Sequence, residues 1–103
     1  MQTDIYQKIQ SDFGVSAPSV MQALDELDAE SKGLVSPRLI RALVYLAQGD
    51  LEKLKKAIAT ARTDWRDVLL QAEYSYPENI RVRDFDKTFH ELGLLSKKQS
   101  SKI

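Results

Sequence analysis

Apolar residues recur along this chain at intervals of three and four, the period of a helix with one buried face, and nowhere in the alternation of a strand. The punctuation agrees with the period. Thr3 is placed to cap a first helix, with Ile5, Ile9 and Phe13 on one side and Gly14 at its end. Ser16 is placed to cap a second, with Pro18 in its first turn, a stripe of Ala17, Val20, Leu24 and Leu27, and Gly33 as its stop. Ser36-Pro37 opens a third. On a helical wheel, Leu39, Ile40, Leu43, Val44, Leu46 and Ala47 cover an arc of roughly 160°, which predicts the most buried helix of the domain. Arg38, Arg41 and Tyr45 fall on its remaining outer face.

Gly49-Asp50 stops that helix and starts a fourth, for which Asp50 is a good cap and Leu51, Leu54, Ile58 and Ala61 the stripe. Thr63-Asp64 predicts a cap for a fifth helix whose inner face carries Trp65, Val68, Leu69 and Ala72, so Trp65 is expected in the core. Ser75-Tyr76-Pro77-Glu78-Asn79 breaks the pattern, and residues 80–83 read as extended. A last short helix is expected from about Asp84 to Leu92, with Phe85, Phe89 and Leu92 inward and Gly93 as its stop. The pattern therefore predicts an all-α fold: a compact single-domain bundle of five to six short helices over residues 1–95. Helical content should exceed about 55%, well above the globular average. Residues 96–102 lack a hydrophobic anchor, so 96–103 reads as a disordered tail.

Composition changes this picture little. At 103 residues, 43% hydrophobic and 29% charged, the chain is ordinary for one globular domain. No cysteine is present, which excludes disulfides, thiolate metal sites and cysteine nucleophiles. The stretch Leu39–Ala47 is interrupted by Arg41 and too short to span a bilayer, and no secretory pattern opens the chain, so a cytoplasmic location is expected, without a membrane. The net charge is zero but unevenly spread: residues 1–33 sum to −4, residues 34–66 to +4 and the remainder to zero. A nucleic-acid binder usually carries a basic excess, so the balance disfavours that role and leaves the basic middle third as its only support.

Catalytic and cofactor signatures are missing. There is no Gly-x-Ser-x-Gly elbow and no phosphate-binding glycine loop. Asp84, Asp86 and His90 are the nearest approach to a metal set, but His90 is the only histidine, and a solvated Asp86–His90 pair is the simpler reading. No cofactor and no metal are expected. The segment Leu46-Ala47-Gln48-Gly49-Asp50-Leu51-Glu52-Lys53-Leu54 resembles the helical hairpin of ankyrin repeats over one repeat's helical part. No second copy follows, and a solenoid needs several, so the resemblance implies a tight helical turn and no more.

What remains is recognition. The loop from Tyr76 to Arg83 mixes Tyr, Pro, Ile, Val and two Arg, residue types common at binding hot spots, and equally serves as a connector covering the core edge. Arg38, Arg41 and Tyr45 offer a rigid outer face on the third helix, which Arg66, Tyr76, Arg81 and Arg83 extend if the loop folds back beside it. Alternatively, the acidic first third simply covers the basic middle, or Arg66 pairs with Glu73. The expected function is a non-catalytic interaction module that binds a protein partner or self-associates as a homodimer. A nucleic-acid-binding regulator is the second reading and a small enzyme the third. Should Trp65 lie outside the core, the string Asp64-Trp65-Arg66-Asp67 becomes the leading functional site.

Overall fold

A computed structural model describes residues 1–33 and 35–95. Helix accounts for 66% of them. Four α-helices follow one another: α1 (Thr3–Phe13), α2 (Ala17–Glu30), α3 (Pro37–Ala47) and α4 (Leu51–Glu73), with a 3-10 turn at Gly14–Ser16 between the first two. The expected five to six helices are thus not formed. The final helix expected over Asp84–Leu92 is replaced by successive turns, and the fourth and fifth run together as α4. Among the described residues there is no strand, only an isolated antiparallel bridge between Tyr74 and Arg81. The expected tail, 96–103, lies outside the described residues.

Local signals explain most of the boundaries. The Ser36 hydroxyl accepts from the Leu39 N–H at 3.2 Å, with Pro37 supplying the preset first position of α3. The Asp50 carboxylate accepts from the N–H groups of Glu52 and Lys53. Two expected caps do not act as such. Thr3 is already inside α1, with Gln2 at the cap position, and Ser16 belongs to the 3-10 turn, where its side chain makes no cap bond. Asp64 interrupts α4: its backbone is extended, and its carboxylate accepts from the Arg66 N–H at 3.1 Å, so it caps the second half within a continuous element. The cap was legible in the sequence, and the two helical halves it separates meet at this kink.

The predicted stripes meet in one core. Ile5, Ile9 and Phe13 of α1, Val20, Leu24 and Leu27 of α2, and Leu54, Ile58, Val68 and Leu69 of α4 are buried around α3. On α3 itself every residue from Leu39 to Val44 is buried, so its outer face does not exist as such. Residues 74–95 supply the missing cover: Phe85 and Phe89 are fully buried, their rings 6.1 Å apart, and Tyr45 packs 5.3 Å from Phe85. These two phenylalanines were expected inward on a helix; they arrive inward on turns.

The turn before α4 is held by a steric requirement. Gly49 has a φ of +80°, and a Cβ there would lie 2.7 Å from the Asp12 carbonyl oxygen of α1. At Gly33, φ is +74° but no atom lies within 4 Å of such a Cβ. Gly33→Ala therefore meets only the positive-φ penalty, of about 1 kcal/mol. Gly49→Ala adds backbone overlap and should cost more than about 2 kcal/mol. Chemical denaturation of the two variants checks the order, and equal midpoints would contradict the close approach of α1 to this turn.

Candidate functional site

Arg41 departs most from its expected place. Its side chain is only 3% exposed, and it points into the interior. Nε donates to Asp4 Oδ2 at 2.9 Å and Nη2 to Asp4 Oδ1 at 3.2 Å, while Nη1 donates to the Phe85 carbonyl at 2.9 Å. Nη2 also donates to Gln2 Oε1. Asp4 Oδ2 accepts in addition the Phe89 N–H at 2.9 Å. An Arg41 buried this thoroughly is a structural post, and its expected role on an open binding face is corrected. The helical wheel failed because it could not show that residues 74–95 close over the same side of α3.

Arg38, one turn earlier, repeats the arrangement with Glu73, whose side chain is fully buried. Nε and Nη2 donate to its two oxygens at 3.0 and 2.6 Å, a bidentate pair. Glu73 Oε2 also accepts the Phe85 N–H at 2.9 Å, and Arg81 Nη2 lies 3.2 Å from Oε1. The Arg66–Glu73 pair entertained from the sequence is thereby excluded, Arg38 and Arg81 being the partners of Glu73. Burial raises the pKa of both carboxyls, but the Arg side-chain hydrogen bonds, the phenylalanine N–H bonds and the Arg charges outweigh it, so both titrate below the ordinary range.

The remaining expected site residues divide. Arg83 stacks on the Tyr45 ring at 4.7 Å and donates from Nε to the Ala72 carbonyl. Arg81 also pairs with Asp84 at 3.0 Å. The structure thus gathers Arg38, Arg81 and Glu73 in one cluster and Arg83 with Tyr45 in another. Tyr76 projects into solvent from the loop, which is tied to itself by Ser75 N–H to the Ile80 carbonyl at 2.8 Å and to α4 by Val82 N–H to the Glu73 carbonyl at 2.7 Å. Arg66 belongs with neither group. It is exposed, 3.7 Å from Asp64, with its guanidinium 5.7 Å from the Trp65 ring centre. Asp86 and His90 are exposed on turns rather than adjacent on a helix, and no group of three acidic or histidine side chains suited to a metal occurs among the described residues.

Trp65 is 52% exposed, so its expected place in the core is also corrected. It has the phase of Val68, Leu69 and Ala72, which are buried, but it is the first residue after the Asp64 kink. Among the described residues no element extends far enough to cover that end of the inner face. The result is an open cleft of about 590 Å³ where α2, α3 and α4 diverge, with Leu27, Val35, Leu39, Ala61 and Trp65 as its apolar wall. Arg62 and Glu30 close one side through paired bonds of 2.8 and 3.0 Å. The volume of this cleft is within the size of clefts that seat ligands, and it contains the only tryptophan. The sequence signal that could have found it is the Asp64 cap placed immediately before an apolar aromatic. No family model, curated protein or solved structure matches the chain.

The two arginines should separate cleanly under substitution. Arg41→Ala leaves Asp4 buried without its ion partner and should cost about 3–5 kcal/mol. Arg66→Ala, in an exposed pair, should change stability by less than about 1 kcal/mol. Thermal melts of each variant check this, and near-identical melts would contradict the buried assignment of Arg41. The acid response follows from the same carboxylates. Their folded pKa values are lowered, so the stability they contribute is complete above the unfolded values of about 4 and is lost as pH falls through the folded ones. Denaturant midpoints should be level from neutrality to about pH 5 and fall below about pH 4. In Glu73→Gln the low-pH fall should be shallower.

Proposed function

We propose that the protein is a non-catalytic helical module that binds a protein partner at the cleft rimmed by Trp65. The single observation that carries this reading is a half-exposed tryptophan bordering an open apolar depression. Tryptophan is prominent among binding hot spots, because one rigid side chain offers a large apolar area at low entropic cost. A residue of this kind at the end of a core stripe costs stability that could be recovered by burying it. Retention of the opening is therefore read as functional.

The distribution of charge supports this reading over nucleic-acid binding. Arg38, Arg41 and Arg62 of the basic middle third are engaged by Glu73, Asp4 and Glu30. Three of the seven cations in residues 34–66 thus neutralise carboxylates of this chain, which leaves Lys53, Lys55, Lys56 and Arg66 as the exposed ones available to a phosphate. The two buried carboxylates are saturated by arginine and backbone donors, an arrangement that serves structure better than proton transfer. No helix among the described residues is long and apolar enough to cross a membrane.

Trp65→Ser provides the test, with Val15→Ser as a control at an almost wholly exposed apolar residue outside the cleft. Both variants should melt close to wild type. A partner purified on the wild-type protein from native lysate should be retained by Val15→Ser and reduced about tenfold or more by Trp65→Ser. Equal retention by a normally folded Trp65→Ser variant refutes the reading.

A further inference from the structure

The Trp65 cleft continues on the far side of Val35. A second depression, of about 310 Å³, is lined by Ile5, Leu24, Val35, Pro37 and Ile40. Val35 belongs to both depressions, and α2 contributes Leu24 to one and Leu27 to the other. Together they border the second half of α2, with Leu24 and Leu27 buried in the floor and Val35 and Trp65 the more exposed apolar walls. An apolar groove beside a helix is the kind of surface into which an amphipathic helix lays its apolar face.

The rim of this groove is acidic in a way the fold does not require. Asp25, Glu26, Asp28 and Glu30 all lie in the second half of α2, and no basic residue occupies its last turn. Carboxylates there oppose the helix dipole, at about 0.3–1 kcal/mol each near the terminus. Glu30 is compensated by Arg62, the one cationic side chain lining either depression, and Met1 with its amino terminus lines the smaller one beside Asp25 and Asp28. Asp25 and Asp28 line the smaller depression, and among the described residues neither they nor Glu26 forms an ion pair. The surface around the apolar groove is therefore short of positive charge. An anionic membrane or a nucleic acid would be repelled from it, whereas lysines or arginines flanking apolar anchors would complete it.

We infer that the groove accepts a basic amphipathic helix of a protein partner, with apolar side chains seated on either side of Val35 and cationic ones against Asp25 and Asp28. The inference rests on the binding role proposed for the Trp65 cleft and adds the chemical class of the occupant. Its apolar anchors provide the contact area, and its charges set orientation and exclude acidic competitors.

The probe is a synthetic Leu/Lys peptide with leucines at amphipathic helical spacing and no tryptophan. It is compared with the same peptide carrying Glu in place of Lys. Trp65, as the sole tryptophan, reports its own burial by a blue shift of emission, and amide shifts map the contact surface. The Leu/Lys peptide should bind saturably, with shifts confined to residues around Leu24–Ser31, Val35–Ile40 and Ala61–Trp65. Asp25→Asn combined with Asp28→Asn should weaken it roughly tenfold, while Glu52→Gln, at an exposed carboxylate at the start of α4, should leave it unchanged. Shifts located elsewhere, or affinity insensitive to the double substitution, overturn the inference. Equal binding of the Leu/Glu peptide in the same groove refutes the basic occupant but leaves the cleft a docking site. A wild-type dimer in sedimentation that Trp65→Ser dissolves also overturns the inference, by making a second copy the occupant. Failure of the cleft reading itself shows separately, as undiminished partner recovery by Trp65→Ser.

Discussion

Asp4 and Glu73 lie near the beginning of α1 and at the end of α4, and each does the same two things. Each takes a bidentate arginine from α3, Arg41 for Asp4 and Arg38 for Glu73. Each also accepts the backbone N–H of a buried phenylalanine, Phe89 and Phe85 respectively. The carboxylates thus join three parts of the chain at once: the helix that carries them, the central helix and the turns of 84–89. Net stabilisation by such buried pairs is small when compared with an apolar replacement, but removing one partner is expensive. Their consequence is positional. They set where residues 74–95 cross α3 and which two backbone donors are occupied.

This explains why the C-terminal segment is not helical despite a helical pattern. In a helix over Asp84–Leu92, the Phe89 N–H would bond to a carbonyl four residues earlier. Here the Phe85 and Phe89 donors are taken by buried carboxylates, which are stronger acceptors in a dry environment. Thr88 and Glu91 still form reciprocal backbone bonds of 2.8 and 3.1 Å, the local device that opens helices, but one turn follows and Gly93 ends it. Local preference and tertiary demand agree on the inward phenylalanines and disagree on the backbone between them.

The same closure accounts for the position of the open surface. Residues 74–95 cover the face of α3 that bears Arg38, Arg41 and Tyr45, and the other helices cover the rest. Nothing described covers the groove where α2, α3 and the Asp64 kink diverge. Trp65 stands at that edge because the kink places it first in the second half of α4, ahead of the residues that pack. The proposed binding role would then sit on a frame of three helices. Little ordering entropy would be lost there on association.

The all-α class, the core stripes of α1 to α4, the caps at Ser36, Asp50 and Asp64 and the inward turn of Phe85 and Phe89 were determined by the sequence alone. Each depends on residues within a few positions of one another, where period and cap chemistry act directly. Cover of the basic middle third by the acidic first third was an alternative in the sequence; Asp4 and Glu30 meet Arg41 and Arg62, whereas Arg38 is met by Glu73 from the last third. Tertiary structure decided the rest. A helical wheel assigns Arg41 and Trp65 to faces but contains no information on what lies opposite. Arg41 is buried because a segment more than forty residues later closes over it, and Trp65 is open because no described segment does. Contact across that sequence separation is set by packing and long-range hydrogen bonds, and neither leaves a period in the chain.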